Sequence, residues 1–161
     1  MDNNLIDKDI LYVKYIKHAE DVCKSKGDRL TDLRRAIFEI LIKSEKPLKA
    51  YEIIEKMREH GKRIHAATIY RILEFLSSNG LVHRVDALNA YIACTKNHTD
   101  HPSLLFICSN CSRTAEIDDP DLCGSIHKNL IKLGMSSNND CIEVKGRCEN
   151  CAIQATMDDS N

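Results

Sequence analysis

Apolar positions in the first 80 residues recur with the period of a helix. Ile10, Val13, Ile16, Ala19 and Val22 predict a helix over 10–26, stopped at Gly27. Leu33, Ala36, Ile37, Ile40 and Leu41 follow the i, i+3, i+4, i+7, i+8 rule, with Thr31 placed to cap the first turn. After Pro47, Ala50, Ile53, Ile54 and Met57 mark a shorter helix that ends at Gly61. A further stripe, Ile69, Ile72, Leu73 and Leu76, runs to Asn79-Gly80. The period then changes. Segments 81–85 and 90–93 read as short strands joined by the turn Asp86-Ala87-Leu88-Asn89. Short helices followed by a hairpin outline a winged helix, whose last helix enters the DNA major groove and whose hairpin is the wing.

The second half reads differently. Strands are predicted at 104–108, 114–117 and 141–145, with a helix over 120–133 between the last two. That helix carries Leu122, Ile126, Leu130 and Leu133 on one face and stops at Gly134. The whole is α+β: a winged-helix unit over 1–88, a hinge over 89–95, a small α/β dimerisation and metal-binding unit over 96–154, and a disordered tail over 155–161. The back unit is too small for a large core, so a metal staple or dimerisation is expected.

Charge divides along the same line. Residues 1–85 hold 17 Lys+Arg against 13 Asp+Glu (+4), and residues 86–161 hold 6 against 11 (−5). The basic front suits an anionic partner and the acidic back suits metal or assembly. The N-terminus has no uninterrupted apolar run, so no signal peptide is expected, and no segment approaches the roughly 20 apolar residues of a membrane span. A cytoplasmic location follows. There, cysteine pairs read as metal ligands and not disulfides. Two CxxC pairs, Cys108/Cys111 and Cys148/Cys151, bracket 36 residues. Four thiolates close the shell of a tetrahedral zinc and leave no place for water, so this ion would brace and not catalyse.

Four more ligand-type residues surround the junction: His83, Cys94, His101 and Glu116. Two nitrogens, a sulfur and an oxygen suit zinc. Each has an ordinary alternative: a wing histidine near phosphate, a buried free thiol, a loop histidine with His98 and Asp100 as competitors, a solvated strand carboxylate. On the last predicted helix of the front unit, the one ending at Asn79-Gly80, His65, Thr68, Tyr70, Arg71 and Glu74 lie off the apolar stripe. Arg71 can read guanine, and Thr68 and Tyr70 suit phosphate or thymine contacts, or the face is simply solvated. Tyr51, Arg29, Arg34 and Arg35 are candidate phosphate contacts. Cys23, Cys123 and Cys141 read as core or partly buried thiols.

The stretches RLTDLRRAIFEIL (29–41), KAYEII (49–54), ATIYRILEFLSSNGLVHRVDALNAYIAC (67–94), HPSLLFICSNC (101–111) and IEVKGRCENC (142–151) together resemble the ferric uptake regulator family, and within it the zinc-sensing branch. The resemblance covers about residues 15 to 152. It implies a winged-helix DNA-binding domain hinged to a dimerisation domain, with a structural zinc on Cys108, Cys111, Cys148 and Cys151. It also implies a regulatory zinc on His83, Cys94, His101 and Glu116, hence two ions per protomer. DNA contacts would fall on Tyr51, Tyr70 and Arg71. The implied function is repression of zinc-uptake genes by a zinc-loaded homodimer on palindromic operator DNA, with no membrane and no small-molecule substrate. The nearer alternative is the same fold sensing iron, manganese or nickel. NHTDH replaces the histidine-rich run usual in iron sensors, Asp32 stands where proline often follows the signature threonine, and a cysteine ligand favours zinc. The distant alternative is a zinc hydrolase or deaminase. A catalytic zinc needs an open position, and neither CxxC follows a proline or pairs with an HxE.

Overall fold

The computed structural model describes residues 4–94, 103–117, 119–136 and 141–158. In chain order the elements are α1 (Asn4–Ser25), α2 (Asp32–Ile42), α3 (Ala50–Glu59), α4 (Ala66–Ser78), β1 (Val82–Val85), β2 (Ala90–Ala93), β3 (Ser103–Cys108), β4 (Thr114–Ile117), α5 (Pro120–Lys132), β5 (Cys141–Gly146) and α6 (Glu149–Asp158). The predicted α+β architecture is present. α1 begins six residues before the expected start, and α6 carries helical backbone into the stretch read as a tail.

The front unit is built as its periodicity requires. Ile37, Phe38, Leu41, Ile53, Met57, Ile69, Leu73 and Leu76 are almost wholly buried in one core, with Ile16, Ala19 and Cys23 of α1 packed into it. Thr31 caps α2, its Oγ1 accepting from Arg34 N at 3.4 Å. α4 ends in a Schellman turn. Gly80 takes φ 70°, and Leu81 N donates to Leu76 O at 2.9 Å. This explains a difference from expectation: Leu81 belongs to the helix cap, so the strand starts at Val82. β1 and β2 pair antiparallel from Val82↔Ala93 to Val85↔Ala90 around the 3-10 turn Asp86–Leu88. The ladder runs through Ala93, into the segment expected as hinge.

The back sheet has the order β4-β3-β5, with β3 antiparallel to β4 and parallel to β5. The helix predicted over 120–133 is present, but its apolar stripe is only partly buried. In α5 only Cys123 is buried, while Leu122 and Ile131 are exposed, as is Leu133 beside it. A second small core, Val85 with Leu105 and Ile107, lies between the hairpin and β3, flanked by Ala87, Leu88, Ile92 and Cys141. The hairpin therefore rests on the back sheet.

Candidate metal centres and nucleic-acid face

Cys108 ends β3, and Cys111 sits in the turn after it, where Ser112 takes a positive φ of 58°. Backbone bonds Cys108 N→Arg113 O (2.8 Å), Ser112 N→Cys108 O (2.9 Å) and Ser109 N→Gly146 O (2.8 Å) fix this turn beside the end of β5. At Gly146 a Cβ would lie 2.8 Å from the Phe106 ring, so any larger residue would have to displace that ring. Cys148 and Cys151 flank the start of α6 and meet the turn from the other side. The four Sγ atoms lie within 4.8 Å of one another, and Cys111 Sγ is 3.7 Å from Cys148 Sγ. Four sulfurs about 2.3 Å from a tetrahedral zinc stand about 3.8 Å apart, so the set fits that ion. All eight cysteines are free thiols. The amide N–H groups of Cys148 and Cys111 aim at Cys108 and pull its thiol down to about 6. Hydrogen bonds to Cys148 and Cys111 push Cys151 up to about 12. Such a set can ionise fully only around a cation.

The second cluster spans the two units. His83 projects from β1, Cys94 follows β2 and Glu116 lies on β4. One ligand atom from each falls within 4.8 Å of the others. His83 Nε2 is 2.9 Å from Glu116 Oε1, with side chains 10% and 6% exposed, and Cys94 Sγ donates to the same oxygen at 3.7 Å. A zinc with Zn–S near 2.3 Å and Zn–O near 2.1 Å sets sulfur and oxygen about 3.6 Å apart, close to the separation found here. Burial opposes a charged His83. Hydrogen bonds to Cys94 and Glu116 and their negative charge outweigh it, raising the imidazole to about 9. These three expected donors are together; His101, like His98 and Asp100, lies outside the described residues. Sequence reading missed Tyr15. On α1, its hydroxyl is pushed up first by burial and then by the charges of Cys94 and Glu116.

In the winged helix, Tyr51, Tyr70 and Arg71 are exposed and Thr68 is half-buried. Tyr51 and Tyr70 line a groove of about 270 Å³ with Lys49, Asn89 and Tyr91, between α3, α4 and the hairpin. Arg29 is exposed. Arg34 is half-buried and engaged within the chain: its guanidinium sits 3.4 Å from the Phe75 ring centroid, and Nη1 donates to Arg29 O at 2.7 Å. Arg35 is paired with Glu20. Periodicity could not foresee either engagement, because the aromatic partner of Arg34 and the acidic partner of Arg35 are distant in sequence.

The fold and its donor sets define a winged-helix protein whose hairpin is seated on a small sheet unit with two metal-type clusters. The sequence profile of the ferric uptake regulator family matches residues 25–145, and the chain belongs to that family. It is 28% identical over 137 residues to the zinc uptake regulation protein of Escherichia coli strain K12, covering 84% of this chain and 80% of that one. Ferric uptake regulation proteins of staphylococci match at 30–31%, so identity alone does not choose the metal. Among solved structures, a zinc uptake regulator complexed with zinc and DNA superposes with a TM-score of 0.81 at 27% identity, covering 90% of this chain and 97% of that one. Holo XcZur gives 0.77 at 32% identity, covering 87% and 98%. The apo form of XcZur, also 32% identical, gives only 0.51 over 88% and 97%. The arrangement of units seen here is thus nearer to the holo than to the apo relative.

Proposed function

We propose that this chain is a zinc-responsive transcriptional repressor that binds palindromic operator DNA upstream of zinc-uptake genes as a cytoplasmic homodimer. The observation that carries the reading is the His83–Cys94–Glu116 cluster, whose donors come from both the wing and the back sheet. Zinc bound there, with His101 as the expected fourth ligand, would tie β1 to β4. His83 and Cys94 would then hold the hairpin, and through it α4, at a fixed angle to the dimer core. Two such helices can face successive half-sites one DNA turn apart. The four-cysteine cluster would hold a second, structural ion, giving two per protomer, and brace the unit over 96–154. Exposed Leu122, Ile131, Leu133 and Val144 supply apolar area for the homodimer. Among the described residues no helix is long and apolar enough to cross a membrane.

The sulfur donor at Cys94 favours zinc over ferrous iron or manganese. Titration of operator binding with buffered zinc, iron, manganese and nickel tests this: zinc should activate at the lowest free concentration. Activation by iron or manganese at lower levels refutes zinc sensing. By linkage, operator DNA must tighten zinc binding by the factor with which zinc tightens DNA binding. Tyr51, Tyr70, Thr68 and Arg71 form the DNA face, with Arg29 at phosphate. Arg71→Ala should cost roughly 1–3 kcal/mol and relax base preference at one position in each half-site. Equal loss across all operator variants assigns Arg71 to phosphate instead.

The raised His83 imidazole sets a pH dependence. In the metal-free protein its pair with Glu116 adds stability in full below the ordinary 6.5, and this is lost as pH rises through about 9. Zinc needs the neutral ring and displaces that proton. Apparent zinc affinity at this cluster should therefore rise by at least roughly tenfold per pH unit up to about pH 9. Competition with a zinc chelator at three pH values measures this, and a flat profile removes His83 from the ligand set.

A further inference from the structure

The register of the back sheet aligns three residues across it. Leu105 of β3 is opposite Glu116 of β4 and also opposite Glu143 of β5. Cross-strand partners share a face, so Glu116, Leu105 and Glu143 form one row beneath the hairpin. The hairpin meets this row in chain order. His83 reaches Glu116, Val85 packs on Leu105, and the turn beyond meets Glu143. There the carboxylate accepts from two consecutive amides: Asp86 N to Oε1 at 2.5 Å and Ala87 N to Oε2 at 3.0 Å. These residues are 57 and 56 positions away in sequence. The hairpin is thus fixed at both ends of the row, at one by metal-type donors and at the other by a carboxylate that needs no metal.

We propose that Glu143 is a positioning residue of the sensor: it latches the wing to the back sheet and lowers the zinc level at which the protein closes. The inference rests on the zinc-sensing reading above. A site competent only in the closed arrangement has its apparent affinity reduced by the closed fraction. Glu143 raises that fraction before any ion arrives, because seating the turn on β5 also carries His83 and Cys94 toward Glu116. Charge-assisted hydrogen bonds are stronger than neutral ones, and losing this pair should cost on the order of tenfold in closure.

The test uses the full-length dimer with its four-cysteine cluster loaded. Operator binding is titrated with buffered zinc for wild type, Glu143→Ala and Glu143→Gln. The alanine variant should need about tenfold more free zinc at half-saturation, while its DNA affinity at saturating zinc stays within about twofold. The glutamine variant keeps one acceptor oxygen and should fall between. In parallel, the Asp86 and Ala87 amides should resist hydrogen exchange in wild type before regulatory zinc is added and lose that protection in Glu143→Ala. An unchanged zinc midpoint in both variants overturns the proposal, as does a loss of DNA affinity that is equal at all zinc levels. Wild-type operator binding indifferent to zinc, with both amides protected, overturns zinc sensing and the gating role together but leaves the contact itself standing.

Discussion

Cys108→Ser is expected to dismantle the back sheet and, with it, the proposed dimer. Cys108 is fully buried at the end of β3, the central strand, and its turn is fastened to the end of β5 and the start of α6. Little else holds these parts. The largest fully buried side chains cluster in the winged helix, and α5 buries only Cys123. A unit this small depends on its staple, and in such sites metal binding is itself the free energy of folding. Serine does not ionise at neutral pH and is a hard, weak ligand for zinc, so the shell would open on its most buried side. The remaining thiols would then crowd without a cation, a state that the elevated Cys151 thiol shows to be resisted. Melting of the back unit should fall by on the order of 10 °C or lose its cooperative transition, with sedimentation shifting toward monomer. Prolonged chelation of the native protein should reproduce both. A Cys108→Ser dimer that melts cooperatively at the native temperature rules out the structural role.

The parts of this molecule that could be read in advance are those determined by near neighbours. Helical stripes such as Ile69, Ile72, Leu73 and Leu76 name their own buried face, and Thr31 and Gly80 mark helix ends through local hydrogen bonds. The CxxC pairs are local as well. What could not be read depends on tertiary partners. Arg34 looks like any surface arginine until Phe75 is brought beneath it. The stripe of α5 has correct periodicity but little to cover within one chain, so Leu122 stays exposed. Glu116 as a single strand charge is equally readable as solvated, and Glu143 is one acidic residue in a strand with no motif of its own. Only the sheet register reveals that they share a row, and family resemblance pointed to the first alone. Cys94, one buried thiol among eight cysteines, gained meaning in the same way.

Cys94→Ser should give the opposite outcome to Cys108→Ser: a folded dimer that no longer responds to zinc. Cys94 is 7% exposed just beyond β2, where its amide donates to Leu81 O at 2.9 Å. Serine keeps that backbone bond, nearly the same volume, and a hydroxyl able to donate to Glu116 as the thiol does. His83 keeps its ion pair with Glu116, and Val85, Leu105 and Ile107 stay packed. The fold and the four-cysteine cluster should therefore survive with an unchanged melting profile. The proposed sensing set would lose its only soft donor among the described residues. Outer-shell partners of metal ligands are worth about 10–100-fold in affinity, so losing a direct ligand should exceed about a hundredfold at this site. Zinc can shift the hinge only by the difference in its affinity for the closed and open arrangements, and that difference is what the variant removes. Free zinc that saturates operator binding by wild type should leave Cys94→Ser near its metal-free level, with cobalt spectra losing the thiolate charge-transfer band of one site only. If the variant binds operator with the wild-type zinc midpoint, the bridge between β1 and β4 is not the sensor.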